Sequence, residues 1–230
     1  MNLLDLKKDL NTLGNPDQVK PLERFFKTGE GEYGEGDKFL GVSVPDQRKI
    51  AKRYQDLSLD DVQKLLDSRI HEHRQVALII LTHQYKRSKD KKKIADLYLK
   101  NTKNINNWDL VDISAPKILG DYLLDKDRSV LYKLAKSKNL WEKRIAILST
   151  YAFIKHAQFD DTLNISEILL NDKHDLIHKA VGWMLREVGK KNQAVEERFL
   201  RKHYKKMPRT MLRYAIEKFD EKKRKYYMKK

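Results

Sequence analysis

Apolar positions recur at helical spacing along nearly the whole chain, so the sequence predicts helices throughout. Two helix starts are explicit. Ser58 followed by Asp61 in SLDDVQKLL is a capping pattern, and Asn15 before Pro16 pairs a cap residue with a first-turn proline. One long stretch lacks the period. Residues 27–44 carry Gly29, Gly31, Gly34, Gly36 and Gly41, and are expected to form an ordered loop. The basic end, EKKRKYYMKK, is expected to be a fraying tail over 220–230 that adds general affinity for DNA or RNA.

Segments rich in basic and apolar residues return at a fixed interval. HRQVALIILTHQYK begins at His73, KRIAILSTYAFIKH at Lys143, HKAVGWMLREVGKK at His178 and LRYAIEKF at Leu212. Ala77, Ala146 and Ala215 are 69 residues apart, close to twice 35, and the vacant register near residue 111 falls on NWDLVDISAP. Helix pairs repeating every 34–35 residues predict an all-α chain, an α-solenoid of helical repeats forming a single domain over 1–230. If the recurring segments line the inner side, they gather Arg74, Lys143, Arg144, His178, Lys179 and Arg213 on a concave basic face.

Composition narrows the partner. The 230 residues hold 49 Lys and Arg against 33 Asp and Glu, a formal charge of +16, with 40% hydrophobic residues. That is enough apolar content to fold, and a folded domain so charged attracts polyanions, nucleic acid foremost. An anionic membrane surface or an acidic protein ranks behind it. Zero cysteines exclude disulfides, cysteine-based zinc sites and thiol nucleophiles. No apolar run approaches the length of a membrane span, and the opening MNLLDLKKDL does not read as a signal peptide. A monomeric protein of the cytoplasm, associated with the nucleoid through DNA, is the expectation.

The position that stands out is Asp112. It occupies the register filled by Ala77 and Ala146, so its carboxylate must either pair with a cation or serve a purpose. Trp108 lies four residues earlier, on the same helical face, and Arg144 and Trp183 follow in successive repeats. Core packing is the alternative for each tryptophan. Other patterns lead nowhere. Gly29–Gly34 spells G-x-G-x-x-G, but no strand precedes it, and Glu30, Glu32, Glu35 and Asp37 would repel a pyrophosphate. His174 and His178 stand four apart without the glutamate of a zincin, so no metal is expected. Walker and nucleophile-elbow motifs are missing.

Four stretches together resemble the bacterial DNA alkylation repair glycosylases of the AlkD type, built from HEAT-like repeats. They are GEGEYGEGDKFLGVSVPDQRKIAK at 29–52, NWDLVDISAPKILGDYLL at 107–124, LWEKRIAIL at 140–148 and HKAVGWMLREVGKK at 178–191, in the family's order. The resemblance implies excision of cationic N3- or N7-alkylated purines, such as 3-methyladenine and 7-methylguanine, from duplex DNA. It also implies hydrolysis of the N-glycosidic bond without base flipping, cofactor or protein partner. It assigns Asp112 as the catalytic carboxylate, Trp108 and Trp183 as the cleft tryptophans, and Arg144 as a phosphate contact. Lys143, Lys179, Arg186 and Arg213 join Arg144 as the expected DNA-binding set. Asn107 departs from members that carry a second tryptophan there. The competing expectation is a HEAT-like scaffold that binds nucleic acid or protein without catalysis.

Overall fold

The computed structural model describes residues 2–229, and these are all-helical, with no strand among them. They fall into two compact units that part between Ser114 and Ala115. The first unit holds α1 (Leu3–Thr12), α2 (Pro16–Phe25), α3 (Val44–Arg53), α4 (Leu59–Leu66), α5 (His71–Arg87), α6 (Lys91–Lys100) and α7 (Trp108–Ser114). The second opens on a π-helical turn at Pro116–Gly120. It continues through α8 (Ser129–Ala135), α9 (Leu140–Lys155), α10 (Asp160–Ile168), α11 (Asp175–Lys191), α12 (Gln193–His203), α13 (Arg209–Ala215) and α14 (Glu221–Met228).

The helical repeat is plain in the element order. From α4 onward short first helices alternate with second helices that begin at residues 71, 108, 140, 175 and 209, between 32 and 37 residues apart. Ala77, Ala146 and Ala215 are fully buried, one on each of α5, α9 and α13, where small side chains let neighbouring helices close up. In the second unit α9 packs on α11 and α11 on α13. Gly182 sets the last contact: a Cβ there would lie 2.4 Å from the Met211 carbonyl oxygen.

The caps form as the sequence predicts. Ser58 accepts from the Asp61 N–H at 3.1 Å, and Asn15 accepts from the Asp17 N–H at 3.0 Å with Pro16 in the first turn. The basic end differs from the expected fraying tail. Asp220 caps α14 through the Lys223 N–H, and Tyr227 is buried against the Phe219 and Tyr204 rings.

The glycine-rich stretch is an ordered loop because one buried carboxylate organises it. Glu72, 1% exposed, accepts backbone N–H groups from Leu40, Gly41 and Val42 at 2.9–3.3 Å. Gly41 has φ +80°, and a Cβ on it would meet the Asn15 carbonyl oxygen at 2.1 Å, so only glycine fits.

Candidate active site on helix α7

Helix α7 divides its residues sharply. Asp109, Leu110, Val111 and Ser114 face inward, whereas Trp108 and Asp112, one turn apart, are half-buried on the outward face. Asn107 starts the helix, its buried side chain accepting from the Trp108 N–H at 2.8 Å. The chain's departure at this position therefore has a local role. Beneath the outward face, fully buried Tyr98 shares a 3.1 Å hydrogen bond with Ser114. Burial pushes the Tyr98 hydroxyl pKa up, and the nearby charge of Asp112 pushes it the same way.

The inward face is held by a charged cluster. His71, the first residue of α5, places Nδ1 3.0 Å from Asp37 Oδ2 and Nε2 2.8 Å from Asp109 Oδ2. Gln75, one turn on, donates to Asp109 Oδ2 at 2.9 Å. Arg74 donates to Asp37 Oδ1 at 2.6 Å and to the Ser68 carbonyl at 2.7 Å. Burial alone would lower the His71 pKa, but Asp109 and Asp37 outweigh it and raise the value to about 9. The ring is thus an imidazolium near neutral pH, donating from both nitrogens. Burial pushes Asp37 up, yet the His71 hydrogen bond and the Arg74 guanidinium bring its carboxyl below the usual range. Arg74, expected on the concave basic face, is instead 3% exposed and serves this cluster.

Aromatic rings connect the cluster to Trp108. His71 packs against Phe26 and Phe39, each centroid 4.8 Å away, those two rings stack on each other at 5.3 Å, and Phe26 stacks on Trp108 at 5.4 Å. Phe25, 61% exposed, meets the Trp108 edge at 5.7 Å. The outward face of α7 therefore carries an indole supported from behind, an exposed phenyl beside it and a carboxylate one turn along. Phe25, Phe26, His71, Asp37 and Asp109 escaped the sequence reading. The Phe-Phe pair before the glycine loop is the signal that could have found two of them.

The remaining nominated residues lie in the second unit. Trp183 is half-buried on α11, its Nε1 donating to Glu187 at 3.2 Å and its ring 6.4 Å from Tyr151. Arg144 is 5% exposed and donates to the Leu176 carbonyl at 2.7 Å. Lys143 pairs with Asp172, Lys179 with Asp175 at 2.6 Å, and Arg186 with Glu217 and Glu187. Arg213 is exposed on α13.

Residues 6–219 match the sequence family described as DNA alkylation repair enzyme, which is nearly the whole chain. The chain belongs to that family. Among solved structures, the DNA alkylation repair chain shares its fold with a predicted DNA alkylation repair enzyme from Enterococcus faecalis. The TM-score is 0.71 and identity 15%, over 90% of this chain and 97% of that one. At that identity the likeness is one of fold. No curated protein matches. Membership makes this a DNA repair protein of the alkylation class.

Proposed function

We propose that this repair enzyme is a monofunctional glycosylase that removes cationic N3- or N7-alkylated purines, such as 3-methyladenine and 7-methylguanine, from duplex DNA. The observation carrying the reading is the outward pairing of Trp108 with Asp112 on a helix anchored from behind by Asp109. Alkylation at a ring nitrogen leaves the base positively charged, so it departs without a general acid. The C1′–N bond breaks with its electron pair going to the purine, which leaves neutral. The sugar is left as an oxocarbenium-like cation. Asp112 stabilises that cation and orients the water that adds to C1′, whose proton passes to solvent. At ~4 Å and an effective dielectric of ~20 the attraction is about 4 kcal/mol, roughly a thousandfold in rate.

Trp108 presents a π face to the cationic nucleotide and apolar surface to deoxyribose, and the resemblance nominates Trp183, in the second unit, for the same kind of contact. A half-exposed helix face suits chemistry on a base that stays in the duplex, reached through the sugar and backbone. The chain's charge of +16 supports phosphate binding. Of the five nominated cations, Arg213 is exposed without an ion pair, whereas phosphate contact by Lys143, Lys179 or Arg186 requires exchanging an intramolecular carboxylate. The assay that tests the proposal is release of free base from methylated duplex DNA by the purified chain. Release of 3-methyladenine or 7-methylguanine is expected. Tight DNA binding with no release from any alkylated duplex would instead mark a non-catalytic scaffold.

A further inference from the structure

We infer that, within each unit, the loops joining the first and second helix of the repeats form a phosphate-binding edge, and that such an edge, more than the inner-helix cations, grips the nucleic-acid backbone. The inference rests on the DNA substrate proposed above. In the second unit these loops are 136–139, 169–174 and 204–208, and they carry Lys136, Lys138, Lys173, Lys205 and Lys206 against a single acid, Asp172. Asp172 is already paired with Lys143. All five lysines are exposed and stand outside the ion pairs of the described residues. The loops at the opposite helix ends, 121–128, 156–159, 192 and 216–220, carry three cations against five acids. One of those cations, Arg128, is bound to Asp161.

The three lysine loops lie side by side. Arg144, near the start of α9, bonds the Leu176 carbonyl at the start of α11. Helix α11 packs on α13, and against the opposing effect of burial Lys179, with Thr210 at the start of α13, holds the carboxyl of Asp175, the first residue of α11, below its usual range. The beginnings of the three second helices are therefore adjacent, and each is preceded directly by its lysines. The N-terminal dipole ends of α9 and α11 add positive potential there. The spacing of one repeat brings a fresh cation to every step of a row, the arrangement a regularly spaced phosphate backbone requires.

The first unit repeats the pattern on its own terms. Arg69 and Lys103, 34 residues apart in the corresponding loops, line one cavity of about 460 Å³ whose lining also holds the Arg74–Asp37 pair and the acids Glu35 and Asp67. His71 and Asp109 join the starts of α5 and α7, so Lys103 precedes the helix that bears Trp108 and Asp112 on this edge.

The test compares two triple variants of the full chain on an unmodified duplex oligonucleotide by fluorescence anisotropy across salt concentrations. Lys138→Gln/Lys173→Gln/Lys206→Gln removes three cations from the edge, and Lys89→Gln/Lys126→Gln/Lys218→Gln removes the same charge from opposite-end loops. Each lost phosphate contact lowers the slope of log K against log salt by about 0.9, so the edge variant should lose about 2.7. Its affinity should weaken on the order of a hundredfold near ~0.1 M salt, with the opposite-end variant close to wild type. Equal losses in both variants, an unchanged slope in the edge variant, or equally tight, edge-dependent binding of polyglutamate would overturn the inference. At saturating protein the edge variant should still release base from methylated duplex. A wild-type chain that releases none, yet shows the edge-specific slope, would defeat the glycosylase reading and leave the edge standing.

Discussion

His71 Nε2 lies 2.8 Å from Oδ2 of Asp109, three residues before Asp112. The WDLVD segment thus carries two acids with separate tasks. Asp109 turns inward and fastens α7 to α5 through an imidazolium, and that leaves Trp108 and Asp112 fixed outward. The carboxylate proposed to act on the sugar and the carboxylate that holds the helix are different residues, distinguishable by substitution.

The first prediction concerns that imidazolium. Its folded pKa is raised to about 9 from an ordinary value near 6.5, with Asp37, Asp109 and Arg74 as its charged neighbours. A raised pKa means the stabilisation is complete below about pH 6.5 and is lost as pH climbs through about 9. Unfolding free energy measured by urea should fall over that window. His71→Gln should be less stable by about 3 kcal/mol at low pH, because buried Asp109 loses its cation and Asp37 is left with Arg74 alone, and its curve should be flatter. An equally steep curve in the variant would place the pH dependence elsewhere.

Glu72 should be as important to the loop as any apolar residue. Glu72→Ala strands three backbone N–H groups, at about 1–3 kcal/mol each where they stay buried. The variant should lose at least about 3 kcal/mol in chemical denaturation. Amide exchange at Leu40, Gly41 and Val42 should accelerate ahead of global unfolding. Unchanged protection at those amides would show that the loop holds itself.

Glu196 carries the opposite sign. Its side chain is 1% exposed, Oε1 has no hydrogen-bond partner, and burial, with Glu197 beside it, raises the pKa to about 9, against a smaller opposing effect of Arg186. An acid with a raised folded pKa costs nothing below its ordinary value near 4.5 and costs more as pH rises toward 9. Glu196→Gln should therefore be more stable than wild type at pH 8, by on the order of 2 kcal/mol, and indistinguishable near pH 4. Thermal melts at the two pH values decide it, and equal gains at both would point to packing instead.

Much of this architecture was legible in the chain. Caps at Asn15 and Ser58, the small-residue register at Ala77, Ala146 and Ala215, and the aperiodic glycine stretch are all local patterns. Periodicity also puts Trp108 and Asp112 on one face of a helix. What stayed hidden depends on segments distant in sequence. Asp37, His71 and Asp109 meet only after the loop, α5 and α7 have packed, and no spacing rule links residues 34 and 38 positions apart. The pairings of Arg74 with Asp37 and Lys143 with Asp172 are hidden for the same reason. Helical position alone makes such cations look available, and the carboxylate that takes each one comes from another element.

The aromatic support predicts a graded response at Trp108. Trp108→Ala removes the π face, and should slow base release on the order of a hundredfold while changing stability little, since the indole is half-exposed. Phe26→Leu, behind it, should give a smaller kinetic loss with a stability loss of about 1–2 kcal/mol, because the Trp108 and His71 stacks both go. A Phe26 variant slower than Trp108→Ala would mean that the indole is not the group touching the nucleotide.

The proposed chemistry turns on a negative charge next to the sugar, and replacing it with an isosteric amide is the direct test. Single-turnover release of 7-methylguanine from methylated duplex, with protein in excess, should be slower in Asp112→Asn by roughly a thousandfold. Affinity for the same duplex and the melting temperature should match wild type. Release at the wild-type rate from the Asn variant would contradict the proposed chemistry.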